Sequence, residues 1–459
     1  MKNRLHYILF SVFLAVFLII TFKGLLTAQP GDENVYYYMG RLAAEGKVPH
    51  KDFFYAHPPL QVYALSLIYK IFGFNIIALK LLPWASTVAT VFFLFKTAKE
   101  KFGKAAAIAS SAIYLFSYSV MFNSVFSFGT ELAAMFLVIG AYFLFNKSSC
   151  YTAGFFFGLA SVTRLLSLPV ILAILAAVFI SGRKTFWKLS SAFLAVFIIV
   201  NIAFLIVGGN SYFSSVYSYH FIKSYSPGEN FREYADIIKL NWILFSAALL
   251  FVFAGEKRKA NVFAAASVAY LLFLLGLKKL FGFYFLAAFP FLAILGGLGI
   301  VGAYNRLANY KKLRAFLTIF ASLLFLWNLS SDALFLHKVG YAGFERGDAL
   351  AEAVELKSNP DTMLFGDDSV VPLLALMTER RIAFDLVDTN SQVFESEIVS
   401  MKETLESLKH KDILFIARSA QGISSFGEVR RFLNEECDLL STFHDKLEGS
   451  YLIYKCEAT

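Results

Sequence analysis

Long apolar runs alternate with short polar stretches up to about residue 335, and the remainder of the chain follows a different rhythm. The runs lie at Leu5–Leu26, 77–95, 105–122, 132–145, 151–180, 189–207, 242–253, 262–277, 283–301 and 316–335. Such runs are of a length that crosses hydrocarbon as helices, which satisfy their own backbone groups. The run 151–180 is too long for one span and short for two. Arg164 and Pro169 interrupt it, so two short helices meeting at an outer turn are expected. This makes roughly eleven spans. A barrel would show alternating strands of about ten residues instead. A further apolar and aromatic stretch, 59–72, carries Lys70 and reads as a helix lying at the interface. The stretch 208–239 reads as a polar and aromatic outer loop containing Tyr212, Tyr217, Tyr219, His220, Tyr225 and Tyr234.

From about Lys338 the pattern shortens. Apolar runs at 362–365, 382–386 and 413–417 alternate with amphipathic helical stretches at 370–377, 395–408 and 426–433. Strand and helix in alternation predict a small α/β domain with a largely parallel sheet. Two further strands, 438–443 and 450–455, read as a closing hairpin. Cys437 and Cys456 bracket that hairpin symmetrically, so strands of equal length oppose them within disulfide reach. Cys150, in a different loop, is expected to stay free. The chain thus divides into a membrane region, 1–337, whose first outer loop is 28–76, and an outer domain, 338–459.

Composition agrees with this pattern. Of 459 residues 58% are hydrophobic and only 16% charged, mean hydropathy is +0.61, and Phe occurs 52 times. A soluble domain carries about 25% charged residues. The net charge of +9 hides an asymmetry, because residues 338–459 hold 13 basic against 22 acidic side chains. The membrane region is therefore strongly basic, and its charge sits in short loops. Lys2 and Arg4, then Lys96 to Lys104, Arg183 to Lys188, Glu256 to Lys259 and Arg306 to Arg314 mark alternate loops as cytoplasmic. This places the N-terminus in the cytoplasm and the C-terminal domain outside a multi-pass cell membrane. Short basic loops also explain the charge better than a nucleic-acid partner does. The first run is longer than a signal core and lacks a small-residue cleavage motif, so it is expected to be retained. No Walker loop, dinucleotide glycine fingerprint or zinc spacing occurs, and three Cys are too few for a Cys-rich metal site. No cofactor is expected, with a divalent metal requirement left open.

The stretch 31–60 carries the chemistry. Asp32 and Glu33 directly follow a helix exit, where an ionised group near hydrocarbon is costly, and Tyr36, Tyr37 and Tyr38 shield them. A solvated loop pair or a helix cap is the plainer explanation. Held at the interface, such a carboxylate can take a proton from a hydroxyl nucleophile. Glu131 opens another span at the same expected membrane level, so a cleft shared with Asp32 is one expectation and a helix-dipole acid the other. His57, Arg164, Lys278 and Lys279 are cations at the outer interface. They suit a lipid phosphate, or snorkel to headgroups. Gly366-Asp367-Asp368 after a strand reads as a turn plus a helix cap.

With these residues in view, the first 335 or so residues resemble the GT-C glycosyltransferases of the protein O-mannosyltransferase and aminoarabinose transferase type. The matching features are Asp32-Glu33 with a following Tyr, then Arg41-Leu42, Gly46, Pro49 and Asp52-Phe53, and a cation before Pro58-Pro59-Leu60. Glu131, Gly158-Leu159-Ala160, Thr163-Arg164 and the aromatic stretch Phe283 to Pro290 follow. The resemblance implies an α-helical polytopic fold and a sugar donor linked to polyprenyl phosphate. It implies Asp32 as base and His57 at a position that helps bind phosphate. It also implies inverting transfer to a hydroxyl on protein, lipid or glycan at the extracytoplasmic face. Val35 stands where the aminoarabinose transferases carry Arg, so that substrate is not implied. The rival from another class is a transporter or flippase for a lipid-linked solute. It calls for internal repeats and broken helices near the midplane, and the sequence shows neither repeats nor midplane charges.

Overall fold

The computed structural model describes all residues except 1–3, 224–226, 255–256, 420, 447–448 and 459. Lys2, Tyr225 and Glu256 therefore lie outside the described residues. The chain packs as two units. One comprises Met1–Leu26, Lys80–Ile202 and Ser226–Tyr341; the other comprises Thr27–Leu79, Ala203–Tyr225 and Ala342–Thr459. The first outer loop therefore packs with the C-terminal domain.

The first unit is a helical bundle. Among the described residues four helices are long and apolar enough to cross a membrane: Leu5–Leu26, Ile76–Phe102, Arg183–Ile222 and Lys311–Gly340. A fifth arises if Pro227–Leu240 and Trp242–Phe253, bent by 83°, form one broken span. Further apolar helices of 10–17 residues include Lys104–Leu115, Thr130–Asn146 and Cys150–Thr163. The expected break at Arg164 and Pro169 is present, as Cys150–Thr163 and Leu168–Ser181 joined by a 3-10 turn, Leu165–Ser167. Small residues let the bundle close, as is usual between helices in lipid. A side chain at Gly299 would lie 2.6 Å from the Ala247 carbonyl. Lys311–Phe335 buries none of its residues and turns its apolar side chains outward.

In the second unit the first loop forms two helices, Asp32–Ala44 and Leu60–Phe72. The stretch expected as a polar loop at 208–239 is instead mostly helical. Helix Arg183–Phe213 breaks at Gly209, whose φ of 56° is a left-handed conformation that glycine adopts at no steric cost. A π-turn, Ser214–Ser218, and a short helix, Tyr219–Ile222, follow, and then Pro227–Leu240. Tyr212, Tyr217, Tyr219 and Tyr234 lie in helical turns, which a polarity count alone reads as loop.

The C-terminal sheet has four strands, β1 (Met363–Gly366), β2 (Ile413–Arg418), β3 (Cys437–Asp445) and β4 (Gly449–Cys456), in the order β1-β2-β4-β3. Only β1 and β2 run parallel; β4 pairs antiparallel with both β2 and β3. The sheet is therefore mixed rather than largely parallel. The expected strand 382–386 contributes a single bridge, Leu364 to Ile382. Phe384 and Asp385 have φ of 57° and 53°, which ends any extended run. The helical stretch 395–408 is split into Ser391–Glu395 and Met401–Leu408, and a helix at Gly347–Lys357 precedes β1. The hairpin β3–β4 forms as expected. Cys437 stands opposite Cys456 in register and is bonded to it, Cα to Cα 4.2 Å, while Cys150 is free.

Candidate active site

Helix Asp32–Ala44 begins at Asp32 and splits the acidic pair. Successive helical residues point about 100° apart, so Asp32 is exposed while Glu33 is 2% exposed. Only Asp32 is open to an incoming substrate. Tyr36 lies one turn on, on the same face as Asp32. The Tyr36 hydroxyl is 3.3 Å from His57 Nε2. The His57 ring stacks on His220, centroids 5.5 Å apart and planes 20° apart. His220 Nε2 is 2.8 Å from the Ala56 carbonyl, so this nitrogen carries the proton and donates it. Lys223 follows one turn after His220, with its Nζ 4.7 Å from the Tyr219 ring centroid.

The C-terminal domain completes the ring. Asp388 feels the charges of both Asp32 and Lys223. Its pKa is raised to about 6, by burial first and then by Asp32, against the opposing effects of the Asn390 backbone N–H and Lys223. The Asp368 carboxyl is held well above the usual range, by burial first and then by Asp367, Asp388 and Asp32. Asp367 performs the expected turn role, accepting hydrogen bonds from the Ser369 backbone N–H at 3.0 Å and from the Ser369 hydroxyl. Asp32, Tyr36, His57, His220, Lys223, Asp368 and Asp388 thus form one set within the second unit. Sequence reasoning singled out Asp32 and His57, counted His220 only among loop aromatics, and missed Lys223, Asp368 and Asp388. No sequence spacing connects residues so far apart in the chain.

The other expected residues lie in the first unit. Glu131 is buried and accepts from the Thr130 hydroxyl at 3.0 Å, and Arg164, 1% exposed, lies close enough to act on its charge. The backbone at Arg164 is extended, which turns its side chain off the end of the preceding helix. Lys80, which sequence reasoning missed, is fully buried with Nζ 4.7 Å from the Phe126 ring centroid. Lys279 pairs with Glu229 at 2.7 Å, and Lys278 is exposed. Asn230 pins their loop by donating to the Leu277 and Lys278 carbonyls. Among the described residues no group of three or more His, Cys, Asp or Glu is arranged to hold a metal ion.

His50, also in the first loop, sits at φ 68° among the rings of Tyr55, Phe204 and Tyr212. Burial lowers its pKa to about 3, against a weaker opposing effect of the Tyr55 backbone. The packed form is therefore neutral, whereas a released imidazole protonates near 6.5. Stability from this packing is present above pH 6.5 and is lost as pH falls towards 3, by about 1.4 kcal/mol per unit. Protection of the 203–222 backbone from hydrogen exchange is expected to drop by about 2 kcal/mol between pH 6.5 and 5. His50→Asn, which tolerates the left-handed backbone, should flatten that slope; equal slopes in both proteins would remove His50 as the cause.

Residues 56–207 match the family model for dolichyl-phosphate-mannose-protein mannosyltransferase. No curated protein sequence matches the chain. Among solved structures, ArnT from Cupriavidus metallidurans bound to undecaprenyl phosphate is similar over 97% of both chains, with 14% identity and a TM-score of 0.67. AglB, the oligosaccharyltransferase of Archaeoglobus fulgidus in complex with an inhibitory peptide and a dolichol-phosphate, is similar over 96% of this chain and 74% of its own, with 12% identity and a TM-score of 0.56. The mycobacterial arabinofuranosyltransferase AftD is similar over 98% of this chain and 40% of its own, with 13% identity and a TM-score of 0.58. The chain is a membrane protein with the GT-C glycosyltransferase fold.

Proposed function

We propose that the chain is an integral membrane glycosyltransferase that moves a sugar from a polyprenyl-phosphate carrier to a hydroxyl acceptor on the extracytoplasmic face. One observation carries this reading. A solvent-open carboxylate, Asp32, shares a helix face with Tyr36 and thereby with the His57–His220 stack, with Lys223 one turn further on. The carboxylate that would take the proton and the groups that would hold the phosphate thus belong to one set of residues.

In this mechanism the acceptor hydroxyl gives its proton to Asp32, and its oxygen attacks the anomeric carbon. The bond from that carbon to the phosphate oxygen breaks, and its electron pair leaves with the lipid phosphate. Direct displacement inverts the anomeric centre. His57, His220 and Lys223 stabilise the departing charge; Arg164, Lys278, Lys279 and Glu131, in the first unit, are candidates from the sequence, to be tested by substitution. Undecaprenyl phosphate on ArnT and dolichol-phosphate on AglB support a polyprenyl carrier here, and the peptide on AglB supports a protein as one acceptor class. The Cys437–Cys456 bond supports an oxidising, extracytoplasmic side for the C-terminal domain.

The test is turnover by purified protein in oriented vesicles. A panel of undecaprenyl-phosphate-linked hexoses and pentoses is offered with cell-envelope extract as acceptor. Release of undecaprenyl phosphate coupled to labelled product, only when acceptor is on the side of the C-terminal domain, is expected. Movement of the intact lipid-linked sugar across the bilayer without transfer would replace the enzyme with a flippase.

A further inference from the structure

The C-terminal domain grips the helix that carries Asp32 at both ends. Near its start, Gly31 N–H donates to the Ser369 carbonyl at 3.0 Å, and Asn34 Nδ2 donates to the same oxygen at 3.3 Å. Near its end, Arg41 reaches the C-terminal end of helix Val371–Met377 and the turn beyond it. Its Nη1 donates to the carbonyls of Ala375 and Arg380, both at 3.2 Å, and its Nη2 to that of Glu379 at 3.4 Å. Carbonyls at a helix C-terminus lack intrahelical partners and carry partial negative charge, so a guanidinium fork suits them. Glu379, at φ 56°, turns the chain back so that carbonyls from both sides of the turn face Arg41. Between the two grips, the Tyr38 hydroxyl accepts from Ile382 N–H at 2.9 Å. Glu45 locks the fork from the other side through Arg41 Nε at 2.8 Å, and Lys47 pairs with Asp385.

Helices Asp32–Ala44 and Val371–Met377 therefore run parallel, tied start to start and end to end. Three points along one helix fix its axial position and its rotation. Both quantities decide where Asp32 points. The guanidinium donates to three carbonyls of the C-terminal domain and is 8% exposed as a residue, so water cannot replace it cheaply.

We propose that the C-terminal α/β domain positions the base for the reaction, and that Arg41 is the positioning residue through which it does so. This rests on Asp32 being the base. Reactant misplacement of about 1 Å can cost a hundredfold in rate, so the effect belongs in kcat rather than in donor binding.

The test uses purified full-length protein with Arg41→Lys, Arg41→Gln and Arg41→Ala. Turnover is read with undecaprenyl-phosphate-linked sugars and binding with undecaprenyl phosphate. Expected are kcat values lower by about tenfold to a hundredfold, undecaprenyl phosphate affinity within about twofold of the parent, and partial recovery of Arg41→Ala by added guanidinium ion. Recovery distinguishes positioning from folding, because a misfolded chain is not repaired by a small cation. Parental kcat in all three variants overturns the proposal. So does loss of turnover together with lipid-phosphate binding and without guanidinium recovery. An active Asp32→Asn alongside a guanidinium-responsive Arg41→Ala would retain the brace and move the base to another residue of the same helix.

Discussion

Asp32→Asn turns over roughly a hundredfold to ten-thousandfold more slowly than the parent while its affinity for undecaprenyl phosphate barely changes. The substitution keeps shape and removes the basic lone pair. Glu33→Gln does less, because Glu33 is buried beside the helix start, away from an incoming hydroxyl. Glu131→Gln falls between them in turnover and differs in kind. Glu131 is buried and accepts from the Thr130 hydroxyl, and disturbing a buried hydrogen bond costs about 1 to 3 kcal/mol. The thermal midpoint of Glu131→Gln should therefore drop, whereas that of Asp32→Asn, at an exposed position, should not. Turnover and lipid-phosphate affinity measured together carry the claim, since misfolding would lower both. Normal turnover in Asp32→Asn with a dead Glu33→Gln would assign the base to the other carboxylate. Full activity in both would remove catalysis from this loop.

What was legible in the sequence was whatever local pattern determines. The broken helix at Arg164 follows from a charge and a proline inside one apolar run. The hairpin and its disulfide follow from two cysteines placed symmetrically about a turn. The first-loop acids stand out because hydrocarbon is hostile to them. What was hidden depends on distant parts of the chain meeting. Asp368 reads as a turn residue because Gly366-Asp367-Asp368 directly follows a strand. Lys223 and Asp388 are ordinary surface residues until the fold brings Asp388 under the influence of Asp32 and Lys223 together. The strand expected at 382–386 failed for a local reason that composition does not reveal, two consecutive left-handed residues after Ile382. Arg41 was visible as part of a family-like stretch, but its three carbonyl partners lie more than 300 residues away, |i−j| 334 to 339.

The cations proposed to hold the lipid phosphate divide by what already surrounds them. His57 stacks on His220 and touches Tyr36, within the same ring of residues as Asp32. Losing one charge-assisted hydrogen bond costs on the order of 1.5 to 3 kcal/mol, so His57→Gln should raise the donor KM by about tenfold to a hundredfold. His220→Gln should act in the same direction and add little once His57 is gone, because a stacked pair works as a unit. Lys279 is occupied by Glu229, at an exposed ion pair of a kind worth about 0 to 1 kcal/mol. Lys279→Gln, and Lys278→Gln at its exposed neighbour, should therefore shift KM less than about fivefold. Arg164→Gln should lower stability before it alters KM, since a side chain only 1% exposed is replaced inside the bundle. Steady-state donor titrations of the five variants check this order. An unchanged donor KM in both His57→Gln and His220→Gln, with a large rise in Lys278→Gln or Lys279→Gln, would move the phosphate from the first loop to the 277–280 turn.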